Sequence, residues 1–283
     1  MPTEGTPSGT ADGLLLAGDE PAAFKVINPA ATVPLILVCD HASRRIPQAL
    51  GTLGLDAVAR RCHLAWDIGA GGLTERLASL LSVTAVCAEY SRLVVDCNRD
   101  LLDPSAFLEF GDGVVIHGNR SLTAAQKAER AEKIYWPYHG AVDRELKRLC
   151  AAGQAPTVVA LHSFTPVMNG VQRPWQIGIL WDTDRPTAEH FLAGFRSAGY
   201  VVGDNEPYSG KAPMDFTIDH HAEAAGLPHV GIEIRQDLID DPEGIVALSD
   251  ALLEILQGIA DVGPKSANDD DCAPSEHPKN TSA

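Results

Sequence analysis

The feature that most limits what this chain can fold into is a set of short, continuous apolar runs, each stopping at a charged or imidazole-bearing residue. Val158-Val159-Ala160-Leu161 is closed by His162 and Ser163, and the run from Val33 to Cys39 meets Asp40-His41. Leu93-Val94-Val95 meets Asp96-Cys97-Asn98-Arg99, and Val230-Gly231-Ile232 passes into Glu233-Ile234-Arg235. Val- and Ile-rich runs that do not alternate with polar residues suit strands covered on both faces. Open α/β sheets carry their chemistry at the carboxyl ends of such strands. Two histidines, two acids and two arginines delivered there form a set able to hold a metal and a carboxylate.

Strands are expected at 33–39, 83–88, 92–96, 157–161, 176–181, 200–203 and 229–234, and helices at 71–81, 122–152, 187–198 and 243–258. Thr123 is a candidate cap for the long helix, whose Glu129, Lys133, Arg144 and Lys147 fall largely on one exposed face. Pro137 should kink that helix or split it. Alternation of this kind predicts an α/β fold: a single domain over 21–262 with a mixed, mainly parallel central sheet flanked by helices. A chain of 283 residues can bury one such core. Residues 1–20, rich in Gly, Thr, Pro and Ala, read as a mobile N-terminal arm. Residues 263–283 read as a disordered acidic tail, which removes His277 from the chemistry.

Charge and composition exclude several classes. A net charge of −16 argues against nucleic acid or an anionic membrane as the main partner. It leaves room for a small anionic substrate at a locally basic site, to which Arg92 and Arg99 can contribute. No apolar run approaches the ~20 residues that cross a bilayer. The opening Met1-Pro2-Thr3-Glu4-Gly5 lacks the basic start of a secretory signal, so a cytoplasmic protein is expected. The six cysteines form no C-x-x-C pair and read as free, buried thiols in a reducing compartment rather than zinc ligands.

Each polar cluster has a structural and a chemical reading. His41 and His162 occupy equivalent strand ends, and a neutral imidazole is a common zinc ligand whose second nitrogen needs a carboxylate or carbonyl. Asp67 precedes a helix and either caps it or ligates a metal. Gly69, Gly71 and Gly72 lack dinucleotide spacing and suit a tight loop into that helix. Arg92 and Arg99 either pair with Asp96 and Asp100 or bind a substrate carboxylate beside Asn98. Glu233 and Arg235 alternate on a strand, as an ion pair or facing a polar cleft, where Glu233 is a candidate general base. His139 sits behind the site or packs beside Pro137, and His220 or His221 can approach it from a loop. His63, His117, His190 and His229 read as structural.

Taken in order, these pieces resemble the N-formylglutamate amidohydrolase family. The matching segments are Asp40-His41 with Pro47, Asp67-Ile68-Gly69-Ala70, Tyr90-Ser91-Arg92-Leu93-Val94-Val95-Asp96 with Asn98-Arg99, and Leu161-His162-Ser163. Pro207-Tyr208-Ser209-Gly210, His221-Ala222 and Glu233-Ile234-Arg235-Gln236-Asp237-Leu238 complete the set, which extends from about residue 33 to residue 240. The pattern is also distantly similar to zinc carboxypeptidases, implying a phosphorylase/hydrolase-like fold. By that resemblance His41 and His162 bind zinc, Asn98 and Arg99 hold a carboxylate, and Glu233 is the base. Carboxypeptidases place a glutamate ligand three residues after the first histidine, where this chain has Arg44. Asp67 is the candidate for the third ligand.

The implied reaction is metal-assisted hydrolysis of a small anionic N-formyl or N-acyl amino acid, N-formylglutamate foremost, to formate and the free amino acid. Arg92 or Arg235 would stabilise the oxyanion, and Tyr208, Ser209 and His221 would complete the substrate site. Zinc, cobalt or manganese would suit a His/His/carboxylate set. The rival readings are a deacylase or peptidase of longer amides and a non-enzymatic carboxylate-binding protein. Oligomeric state is not readable.

Overall fold

The computed structural model describes residues 15–153, 155–211 and 215–262. Its strands are β1 (Phe24–Ile27), β2 (Leu35–Cys39), β3 (Thr84–Ala88), β4 (Phe110–Gly111), β5 (Val114–Val115), β6 (Thr157–Phe164), β7 (Val167–Met168), β8 (Val171–Gln172), β9 (Ile177–Leu180), β10 (Val202–Asp204) and β11 (His229–Arg235). Its helices are α1 (Ala70–Leu81), α2 (Ala124–Arg130), α3 (Trp136–Cys150), α4 (Arg185–Ser197), the single turn α5 (Phe216–Ile218) and α6 (Pro242–Val262).

Seven strands form one sheet in the order β1-β3-β2-β6-β11-β9-β10. β3, β2, β6 and β11 run parallel, whereas β1 is antiparallel to β3 and β9 antiparallel to β11. The expected mixed, mainly parallel α/β architecture is therefore the one found. Successive residues of a strand point to opposite faces, and the core divides accordingly. Ile36, Val38, Val86, Val158 and Ala160 pack beneath α3 with Tyr135, Tyr138 and Val142. Leu35, Leu37, Val159, Leu161, Val230 and Ile232 pack beneath α1, α4 and α6 with Leu73, Leu77, Phe191 and Leu252.

Thr123 caps α2 in a full capping box with Gln126. The chain then widens into a π turn over Ala131–Tyr135, just ahead of Pro137 in the first turn of α3. Proline has no N–H to return to the preceding turn, which fits the break expected there.

Residues 93–96 are buried and Arg92 half-buried, but the segment runs through a turn into irregular chain, not the expected strand. Their carbonyls are claimed by side chains: Asn119 Nδ2 donates to Leu93 O at 2.8 Å and Arg130 Nη1 to Val94 O at 2.9 Å. Residues 15–20 pack onto the body, with Leu15 in the core and Glu20 Oε1 accepting from Gln48 N at 2.9 Å. The rest of the expected arm, and the acidic tail at 263–283, lie outside the described residues. Cys39, Cys62, Cys87 and Cys97 are free thiols. No helix among the described residues is long and apolar enough to cross a membrane.

Candidate active site

The sheet order reverses next to β2. From β2 the chain crosses through α1 to β3 on one side, and later returns as β6 on the other. Adjacent carboxyl strand ends then diverge and leave a crevice. His41 follows β2 by two residues, and His162 lies in β6. Glu233 is the cross-strand partner of His162 on β11. By strand alternation His162 shares the α3 side of the sheet with Val158 and Ala160, and Glu233 lies there too, opposite Ile232 and Ile234.

The two imidazoles converge on one carboxylate oxygen. Asp67 Oδ2 lies 3.2 Å from His41 Nδ1 and 3.0 Å from His162 Nδ1. One ligand atom from each of the three residues falls within 4.8 Å of the others, and all three residues are buried. Each ring offers its other nitrogen to a further acid: His41 Nε2 lies 2.8 Å from Asp96 Oδ1, and His162 Nε2 lies 3.3 Å from Asp40 Oδ2. Thr217 Oγ1 donates to Asp40 Oδ1 at 2.6 Å. Inner nitrogens on a shared point and outer nitrogens on carboxylates form the arrangement that orients metal-bound histidines. Two imidazoles and a carboxylate within reach of one point are a donor set that a divalent cation takes.

Asp67 does not cap α1. Gly69 is the N-cap residue, with φ of 82° and no side-chain cap bond, so the carboxylate is released to the crevice. Burial opposes ionisation of these acids, but their partners prevail. His41, His162 and Arg92 hold Asp67 well below the usual carboxylate range. Arg92 and His41 do the same for Asp96, and His162 and Thr217 bring Asp40 to about 2.

The crevice opens into a cavity of about 490 Å³. Its lining includes Arg92, Asn98, Arg99, Tyr208, Ser209 and Glu233. Arg92 donates to Asp96 Oδ2 from Nη2 at 3.0 Å and from Nε at 3.2 Å, and to Asp67 Oδ1 from Nη1 at 3.3 Å. The ion-pair reading of this arginine is found, and the side chain also lines the cavity. Asn98 Oδ1 accepts from Thr217 N at 3.0 Å, and Arg99 Nη1 donates to Asn98 O at 2.7 Å. Tyr208 Oη accepts from Arg173 Nη2 at 3.0 Å. Glu233 Oε2 is buried without a hydrogen-bond partner. Burial pushes its carboxyl up to about 7, with His162 pulling the other way.

Two expected residues lie elsewhere. Arg235 turns out at the end of β11 and pairs with Asp237 at 2.7 Å, so neither the ion pair with Glu233 nor a place in the cavity is found. His221 is buried on the far side of the Asn98 loop. His139 Nε2 lies 2.9 Å from the Cys97 carbonyl and must donate to it. Burial, reinforced by His221, holds His139 well below its usual range, so its Nδ1 accepts from His221 Nε2 at 2.8 Å. Asp143 Oδ1 completes the chain, 2.8 Å from His221 Nδ1. His139 therefore lies behind the site, bracing the residue before Asn98. His220 stacks on Phe216 with ring centroids 4.9 Å apart. Arg44 lies over the Trp66 ring, away from the centre.

Sequence reasoning missed two cavity residues, His63 and Asp215, and the place of Asp40 and Asp96 beside the imidazoles. His63 lines the cavity beside Asp112, at 2.8 Å. Asp215 also lines the cavity, Asp96 meets the outer nitrogen of His41 at 2.8 Å, and Asp40 lies 3.3 Å from that of His162. For Asp40 and Asp96 the signal was present, since each ends an apolar run. His63 and Asp215 follow no such run.

Fold and centre together define an open-sheet α/β protein with paired carboxylate–imidazole arms at its topological switch point. The N-formylglutamate amidohydrolase family model matches residues 33–240, and the chain belongs to that family. Membership carries hydrolysis of an amide bond. Among solved structures, a gene product of Agrobacterium tumefaciens is 38% identical, with a TM-score of 0.84 over 88% of this chain and 99% of that one. The N-formylglutamate amidohydrolase of Ralstonia eutropha JMP134 shares the fold at 20% identity, with a TM-score of 0.67 over 85% of this chain and 98% of that one. No curated protein matches.

Proposed function

We propose that this chain hydrolyses the amide of a small anionic N-acyl amino acid, N-formylglutamate foremost, at a metal held by His41, Asp67 and His162. The observation that carries this reading is the convergence of both Nδ1 atoms on Asp67 Oδ2, with Asp96 and Asp40 at the opposite nitrogens. A bound divalent ion would polarise the amide oxygen and bring the pKa of a water to about 7.

The protein residues supply the remaining chemistry. Glu233, buried beside His162 with one oxygen unpartnered, takes a proton from the attacking water and returns it to the leaving nitrogen. Arg92 is placed to meet charge developing on the amide oxygen, its guanidinium held in orientation by Asp67 and Asp96. Asn98 and Arg99 bind the substrate carboxylate, and Tyr208 and Ser209, in the same cavity lining, complete the substrate site.

The test pairs metal analysis with turnover. Purified protein should carry about one zinc, cobalt or manganese ion per chain, lost in His41→Ala and His162→Ala, and should release formate from N-formylglutamate. Protein that binds no such ion, even on reconstitution, overturns the metal centre.

One observation favours a second substrate reading. Leu64, Leu93, Leu108, Met168 and Leu180 are among the residues lining the 490 Å³ cavity, more apolar side chain than a formyl group can contact. Competition between formyl, acetyl and longer acyl derivatives of one amino acid separates the two readings. Faster turnover of the longer chain assigns those side chains to the acyl group.

A further inference from the structure

Outside the catalytic cavity, a second concavity of about 550 Å³ is lined by Arg44, Arg45, Arg60 and Arg61, together with Ser43 and Trp66. No acidic side chain lines it. The chain has 22 lysines and arginines against 38 acids, so four arginines around one acid-free space reverse the charge of the molecule locally. Arg45 pairs with Glu89 at 3.6 Å. Among the described residues no carboxylate lies within ion-pair distance of Arg44, Arg60 or Arg61.

The arginines sit on anchored backbone. Arg45 O accepts from Ser91 N at 2.7 Å. The turn Ala59–Arg61 begins where Asp56 Oδ1 accepts from Val58 N at 2.9 Å and from Ala59 N at 2.8 Å. Trp66 Nε1 donates to Arg61 O at 3.2 Å, and the Arg44 guanidinium lies 5.5 Å from the Trp66 ring centre. Like charges held around a space without counter-charges repel one another, and an anion relieves that repulsion while accepting from several guanidinium forks.

We propose that this concavity is a binding site for a small polyanion carrying two or more carboxylate or phosphate groups. Arg44, Arg60 and Arg61, the three without a carboxylate partner among the described residues, exceed what a single carboxylate neutralises, which sets the ligand class above a monoanion. The site is separate from the catalytic cavity, with which it shares no lining residue. Both of its segments run into the centre, because Ala42 follows His41 and Trp66 precedes Asp67. An occupant bridging Arg44 and Arg61 therefore braces the two segments that deliver those side chains.

The test titrates the metal-loaded protein by calorimetry with tricarballylate and with fructose 1,6-bisphosphate, at matched ionic strength, using acetate as the monoanion control. The expected result is saturable binding of at least one polyanion and none of acetate, weakening as salt rises. Arg60→Ala/Arg61→Ala should weaken it by roughly tenfold or more while leaving the melting temperature and basal turnover unchanged. Preference for one probe assigns carboxylate or phosphate as the recognised group. Binding of equal strength in the double variant places the anion elsewhere, and absence of saturable binding by both probes removes the site.

Discussion

Asp96 gives the sharpest test of the centre, because it touches no expected metal ligand atom yet governs one of them. Its Oδ1 faces His41 Nε2 at 2.8 Å and accepts from Asn98 N at 2.9 Å, while Oδ2 receives two bonds from Arg92. Asp96→Asn preserves the shape and removes the charge. If the amide oxygen stays with Arg92, the NH2 group faces His41 Nε2 and donates to it. The His41 proton then moves to Nδ1, where the lone pair should meet the metal. If the amide flips, the NH2 group opposes the Arg92 guanidinium. Either orientation loses one partner. Outer carboxylates of histidine ligands are worth about 10–100-fold in metal affinity, or about 1.4–2.8 kcal/mol. Asp96 also orients Arg92, so we expect the upper end, about 100-fold. The assay is competition for zinc against a chromophoric chelator, with circular dichroism verifying the fold. A folded Asp96→Asn protein that holds zinc as tightly as the wild type would refute the outer-carboxylate argument.

Glu233→Gln should retain the metal and lose about 10²–10⁴-fold in turnover; formate release close to wild type removes Glu233 as the base. Arg235→Gln should leave turnover nearly unchanged, because Arg235 pairs with Asp237 outside the cavity, and a large loss of kcat would contradict that placement. Arg130 is 3% exposed and donates to Val94 O, Asn119 Oδ1 and Gly118 O. Arg130→Met should therefore cost about 2–4 kcal/mol in urea unfolding, and a loss near zero would show that the 92–96 segment holds itself. Burial, with Asp215, Glu223 and Asp182 nearby, raises the Asp219 carboxyl from 3.8 to about 7. The native state then binds this proton more tightly than the unfolded chain, so ionisation destabilises the fold as pH rises from about 4 through 7. Asp219→Asn should raise the melting temperature at about pH 8, with a smaller gain at about pH 5; equal gains at both would contradict the assignment.

The parts of the fold legible in sequence are those where one physical pattern dominates. β2, β3, β6 and β11 are buried on both faces, and their unbroken apolar runs report that directly. The run at 93–96 has the same composition and is equally buried, but its backbone partners are Asn119 and Arg130, lying 26 and 36 positions away from the carbonyls they hold. Composition records burial there, not who satisfies the backbone. β1 escaped notice for the opposite reason. It is a four-residue edge strand, largely half-exposed, and Phe-Lys-Val-Ile is too short to establish alternation. The antiparallel direction of β9 carries no signature in its own residues.

In the site, the ends of the buried runs were legible and the pairings between them were not. Asp67 stood between cap and ligand until Gly69, by taking the helix cap at positive φ, left its carboxylate free for the two imidazoles. Arg235 sits beside the base in sequence, yet Asp237, two positions on, captures it locally. The outer acids show the rule most clearly. Asp40 adjoins His41 in sequence but faces His162, and His41 takes its outer carboxylate from Asp96. Both residues lie in the turn that follows β2, where the two side chains part to different partners. Each imidazole instead draws its acid from another segment. The exchange ties β2, β6 and the 92–96 segment into one unit, so disturbing any one of these acids should move a histidine that sequence proximity would not have chosen.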